Sequence, residues 1–246
     1  MTDLVAIINI TPDSFSDGRT DATTEDYRQL MQQAVADGAA ILDIGAESTR
    51  PGATPLTHEA EWQRLKPVLQ HLPKNIPISL DTRHPETFRK ALPYGIAWMN
   101  DVSGLQNPAM VAFAKDSGCK VVLMHSLTVP ADSTITIPPE KDPVAEVLHW
   151  AKQRIAELEI PKEKIIFDPG LGFGKTAAQS QALIDNIAAF KTLDVKLMVG
   201  HSRKSFLGGK LEARDAATAR ITAALAAAKI DYVRVHNIKM NKAALE

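Results

Sequence analysis

A single cysteine, Cys119, excludes an intramolecular disulfide and any thiolate metal cluster. Its neighbours Lys120, Val121, Val122 and Leu123 read as a strand, so a buried core thiol is expected there rather than a nucleophile. No apolar run approaches the roughly 18 residues of a membrane span. The opening MTDLVAIINITPDSF is too acidic, and its apolar run too short, for a signal peptide. A reducing, cytoplasmic setting without membrane contact is the expectation. Charge excess is also missing: 28 Lys plus Arg stand against 29 Asp plus Glu, for a net charge of -1. That balance disfavours a protein that grips many nucleic-acid phosphates, and it makes any anion site local. Repeats, low-complexity tracts and linker composition are absent, and residues 1–246 read as a single domain.

What is present is alternation. Short β-branched runs fall at 5–10, 40–45, 76–81, 97–101, 120–125, 164–168, 195–200 and 231–236, with longer stretches of helical periodicity between them. Helices are expected over 23–38, 58–72, 176–190 and 212–229. The first opens on Thr23 and Thr24 before Glu25 and Asp26 and stops at Gly38. Eight strands with seven full helices between them predict an α/β fold, a closed (β/α)8 TIM barrel with a shortened last helix; an open doubly wound sheet is the alternative.

In a parallel barrel the site lies where strands end. The runs end in Asn9, Asp43, Asp81, Asn100 with Asp101, His125, Asp168, His201 to Lys204, and Arg234 with His236. One strand-terminal Asp is ordinarily a turn former or helix cap. Eight polar ends converging on one face read as a site. Asp81, Asn100 and Asp168 suit a ligand edge rich in N–H donors, such as a fused aminopyrimidinone. Arg234 and His236 share one strand face and could grip an anion together, with Lys204 polarising a ligand atom nearby. The stretches 11–21 and 46–55 mix Gly, Pro, Ser and Asp in the manner of lids, and Arg50 could close on a substrate carboxylate. The stretch DPGLGFGKT fails as a phosphate loop because Pro169 stands six residues before Lys175, where a Gly is needed; a tight turn presenting Asp168 is expected instead.

The stretches INITPDSFSDG, DIGAESTRPGA, SLDT, NDVSG, LMH, DPGLGFGK, GHSRKSFLG and VRVH, in this order from residue 8 to 236, resemble dihydropteroate synthases. The resemblance implies a TIM barrel joining 6-hydroxymethyl-7,8-dihydropterin diphosphate to 4-aminobenzoate by a leaving-group-first route. It places the pterin against Asp81, Asn100, Asp168 and Lys204, and the diphosphate on Asn9, Arg234 and His236, with Asn9 also a ligand of Mg2+. It places aminobenzoate near Thr49, Arg50, Pro51, Phe173, Lys204 and Ser205. Asn9, Asp81, Lys204, Arg234 and His236 are then the catalytic set, and Arg203 is either a contact or a support of its loop. A homodimer built on late helices is the assembly that the resemblance implies.

The sequence departs from the family at several points. SLTVPADSTITIPPEKDP follows LMH in place of a Met-Gln-Gly-x-Pro type segment. Asn237 replaces the acid after VRVH, and Arg19 follows Gly18. A barrel without the family's N-terminal hairpin is expected. A non-catalytic pterin-binding paralogue and a pterin-dependent methyltransferase are the competing readings. The second has no need of Arg50, Lys204 with Ser205, or the Arg234 and His236 pair.

Overall fold

A computed structural model describes residues 1–11, 22–49 and 52–246. The β-branched runs form eight strands: β1 (Asp3–Asn9), β2 (Ile41–Gly45), β3 (Ile78–Asp81), β4 (Ile96–Asp101), β5 (Lys120–Met124), β6 (Ile165–Asp168), β7 (Lys196–Val199) and β8 (Tyr232–Val235). They pair in parallel in chain order, and β8 returns to β1 with Val233 opposite Leu4. The sheet therefore closes, as the eightfold alternation predicts, and the open-sheet alternative falls.

Helices α1 (Thr24–Ala36), α2 (His58–Leu69), α3 (Pro85–Ala91), α4 (Pro108–Asp116), α5 (Pro143–Leu158), α6 (Ala177–Asp185) and α7 (Leu211–Ala227) alternate with the strands, and α8 (Ile238–Ala243) follows β8. Thr23 starts α1 in a capping box: its hydroxyl accepts from the Asp26 amide, and the Asp26 carboxylate accepts from the Thr23 amide. Thr176 and Gln179 repeat the device at α6. Gly38, at φ 100, lets the chain leave α1 in a conformation that a side chain would resist.

Two helical expectations need correction. The span 176–190 is not one helix but α6 followed by a 3₁₀ stretch at Ile187–Leu193. Asn186 divides them at φ -110, its side-chain amide donating to Ala182 O in competition with the backbone ladder. The helix after β3 is not full length: α3 has seven residues and passes into a 3₁₀ turn at Leu92–Tyr94, where Pro93 has no N–H to continue the ladder. The last helix is short, as expected, at six residues.

Alternate strand residues face opposite sides. Outward-facing Ile8, Leu42, Ile44, Leu80, Met99 and Phe167 pack beneath the helices with Met31, Leu65 and Phe88. Inward-facing Val5, Ile41, Trp98, Val122, Ile166, Met198 and Tyr232 form a separate apolar plug across the barrel, with Trp98 edge-on to Tyr232 at 4.9 Å. Full burial of an aliphatic or Phe side chain contributes about 1.5–3 kcal/mol. Two residues further along the same strands, the inward positions become Ile7, Asp43, Asn100, Met124, Asp168, Gly200 and Arg234. The polar set thus lies one pleat above a dry floor.

Candidate active site

Arg234 organises the centre of that polar layer. Its Nε donates to Asp43 Oδ2 at 2.5 Å and its Nη2 to Asp81 Oδ2 at 2.7 Å. Asn100 Nδ2 donates to the same Asp43 oxygen at 3.0 Å. Burial works against the Arg234 charge, but Asp43 and then Asp81 hold the guanidinium firmly protonated. Burial pushes Asp81 up to about 8, with Arg234 opposing and Asp43, Glu61 and Asp101 adding to the rise. Asp43, 1% exposed, keeps its second carboxylate oxygen without a protein partner.

The next groups come from β6 and β7. Asp168 Oδ1 accepts from Gly170 N at 2.8 Å, while Oδ2 faces Gly200, where an added Cβ would lie 3.3 Å away. Burial raises this carboxyl too, against the Gly170 amide and the charges of Lys204, Arg234 and Lys175. Lys204 stands with its ammonium 4.5 Å from the centre of the Phe173 ring, a cation–π shelf beside Asp168. The turn carrying Phe173 is fastened by Lys175. Its Nζ meets His125 Nδ1 at 2.8 Å and the carbonyls of Phe173, Gly170 and His125 at 2.8, 3.0 and 3.3 Å. Burial lowers Lys175 to about 7. His125, lowered to about 3 by burial and then by Lys175, is neutral. The rejected phosphate loop is therefore a turn tied down by its own lysine.

At the end of β8, His236 Nδ1 pairs with Ser202 Oγ at 2.9 Å, and that oxygen also accepts from the His236 amide at 3.1 Å. Ser202 thus ties both the ring and the backbone of His236 to the end of β7. Arg203 turns away to form a bidentate pair with Asp215 of α7, at 2.6 and 2.9 Å, and its φ of 57 is part of that turn. Of its two expected roles, loop support is the one observed. Asn237 donates to Asp215 Oδ2 at 3.2 Å and caps α8, so the replaced acid has become part of this brace.

The family described as "Pterin binding enzyme" matches residues 5–236. The chain belongs to the pterin-binding enzyme family. It is 37% identical over 248 residues to the dihydropteroate synthase of Escherichia coli K12, covering 96% of this chain and 86% of that protein. It is 36% identical over 262 residues to the folate synthesis bifunctional protein of Chlamydia muridarum, covering 99% of this chain but only 58% of that protein. The dihydropteroate synthase of Xanthomonas albilineans, solved with 4-aminobenzoic acid, superposes with a TM-score of 0.90 at 36% identity, covering 99% and 90% of the two chains.

For this family member, β3, β4, β6 and β8 bring Asp81, Asn100, Asp168 and Arg234 to one end of the barrel, and Lys204 with Phe173 lies beside them. Asn9, half-buried, ends β1 opposite Gly45. Ser205 is exposed at the start of a 3₁₀ turn, and Thr49 O accepts from Ala131 N at 3.1 Å. Arg50 and Pro51 lie outside the described residues, as does 12–21, which holds nearly all of the first lid-like stretch with Gly18 and Arg19. Arg234 differs from its reading in one respect: instead of standing with His236 alone, it is bound by two carboxylates. Asp43 was legible as a strand end but not as the partner of Arg234. Glu47, Arg83, Lys175 and Ser202 carry no single-sequence signal that singles them out.

Proposed function

We propose that the chain is a dihydropteroate synthase, condensing 6-hydroxymethyl-7,8-dihydropterin diphosphate with 4-aminobenzoate to give dihydropteroate and diphosphate. The observation that carries this is the acceptor set Asp81, Asn100 and Asp168 one pleat above an apolar plug, with the Lys204–Phe173 shelf beside it. Likeness to the Escherichia coli enzyme supports the reading. The pterin edge would donate to Asp81, Asn100 and Asp168, and Lys204 would meet an electron-rich ring atom. Asn9, the outward N–H groups of Arg234, and His236 Nε2 would hold the diphosphate. Thr49, Arg50, Pro51, Phe173 and Ser205 would border aminobenzoate.

In the leaving-group-first route, the bond from the pterin methylene to oxygen breaks and its electron pair departs with diphosphate. The arylamine nitrogen then bonds to that carbon and loses a proton to solvent. The carboxyl oxygens of Asp43, Asp81 and Asp168 suit a pterin that has turned cationic, because they are held in fixed positions above the apolar plug before the ligand arrives. Arg234, fixed by Asp43 and Asp81, needs no reorganisation as charge grows on the leaving oxygens. Asn9, half-buried at the end of β1, offers a hard amide oxygen of the kind Mg2+ takes beside waters and substrate phosphates. Asn9 would be that ligand, and the ion would neutralise charge on the diphosphate.

We further place residues 1–246 as one pterin-binding barrel domain, cytoplasmic and homodimeric. No described helix is long and apolar enough to cross a membrane. Purified protein given both substrates and Mg2+ should form dihydropteroate, read by chromatography. Pterin binding without any product would mean a non-catalytic paralogue.

A further inference from the structure

Between β2 and α2 the described residues form no regular element, so something other than backbone ladders must hold this loop in place. One side chain does so. Glu47, 4% exposed, accepts from Arg83 Nε and Nη2 at 2.8 Å each and from Leu56 N, also at 2.8 Å. The first two bonds cross to the segment after β3, and the third ties the start of the loop to its end. Burial alone would push Glu47 up; the His84 ring 3.7 Å away and the hydrogen bonds from Arg83 and the Leu56 amide bring it down to about 2, so the carboxylate is charged at neutral pH.

The far anchor is braced. Thr82 N donates to Asn100 O at 3.0 Å, Thr82 Oγ1 to Glu61 Oε2 at 2.8 Å, and His84 N to Thr82 Oγ1 at 3.1 Å. Arg83 thus stands on a fixed step two residues beyond Asp81. Thr49 stands two residues beyond Glu47, with its carbonyl bridged to Ala131 N. A bidentate carboxylate–guanidinium pair fixes tilt as well as distance, which a lone ammonium would not.

We propose that Glu47, through its paired bonds to Arg83, is a positioning residue for the second substrate, setting the Thr49 stretch of the loop against Asp81. Neither residue is placed in contact with either substrate. The identity of the second substrate, an arylamine carboxylate, rests on the synthase reading above.

The test uses Glu47→Ala, Glu47→Gln, Arg83→Ala and Arg83→Lys in the full chain. Glu47→Ala and Arg83→Ala should each raise KM for aminobenzoate roughly tenfold or more, with the Kd of the pterin diphosphate unchanged. Glu47→Gln and Arg83→Lys, which keep part of the hydrogen bonding, should fall between them and the parent. The double Ala variant should cost little more than either single one, since both remove the same link. Equal weakening of both substrates, or an unchanged KM, would overturn the proposal. Hydrogen exchange separates it from the synthase reading: the Leu56 amide should be protected in the parent and lose protection in Glu47→Ala. A parent without turnover overturns the synthase reading while the Leu56 result still tests the clamp, and unchanged Leu56 exchange refutes the clamp whatever the turnover.

Discussion

At the residue scale, strand parity decides which side chains enter the barrel, because successive residues of a strand face opposite sides. Asp43, Asn100, Asp168 and Arg234 each stand two residues beyond an apolar inward-facing neighbour, and that period alone puts them on the inside of a barrel. Which of them would touch was not legible. Arg234 and Asp43 are 191 positions apart, and only barrel closure makes β8 and β2 near neighbours across β1. Asp168 carries a prediction of its own. Its Oδ1 is spent on the Gly170 amide, which leaves Oδ2 as the acceptor available to a pterin donor. Asp168→Ala should therefore weaken pterin binding by about 1.5–3 kcal/mol, the worth of a hydrogen bond to a charged group. Calorimetry on a variant whose melting remains cooperative decides this, and undiminished affinity would remove Asp168 from the pterin site.

At the element scale, the connections after strands matter more than the helices. The turn after β6 carries Phe173 and is seated on the end of β5, and its tightest approach is at Gly170. That residue has φ 66, and an added Cβ would lie 2.0 Å from His125 O, a backbone atom that cannot swing aside. Gly95, at φ 84, has open space around its Cβ position. Gly95→Ala should cost about 1 kcal/mol, from backbone strain alone. Gly170→Ala should cost about 4 kcal/mol or more, because strain and collision add. Denaturant melts compare the two directly, and similar midpoints would show that the β6 turn can shift freely. The divergent segment after β5 belongs to the same frame. Ser126 Oγ donates to Val102 O, Ala131 N to Thr49 O, and Ile137 N to Gly174 O, while Gln179 reaches Ile137 O at 2.7 Å. Its changed sequence thus keeps a structural task, bracing the loops after β2 and β6. None of this was legible in advance, because all four bonds end on backbone carbonyls, which carry no residue-type signal.

At the scale of the whole molecule, a near-neutral chain encloses an acid-rich centre. Asp43, Asp81 and Asp168 surround Arg234 and Lys204, and Asp101 and Glu61, both raised by burial, lie close behind. Composition hid this, since 28 basic and 29 acidic residues nearly cancel over the whole chain. The consequence is a proton balance that a ligand can change. Without ligand, burial holds Asp81 at about 8, so near neutral pH it is largely protonated. Pterin N–H donors favour the charged carboxylate and lower its pKa on binding. Protons must then leave whenever the pH lies between the bound and free values, and none leaves from Asp81 well above pH 8. Pterin binding at pH 7 should therefore release protons, seen as calorimetric heats that vary with the ionisation enthalpy of the buffer. The release should shrink in Asp81→Asn and fade by about pH 9.5, since less than a tenth of a group with pKa near 8 is then protonated. Heats that are independent of buffer at pH 7 would mean that Arg234 already keeps Asp81 ionised, so that the ligand enters a site whose charges are set before it arrives.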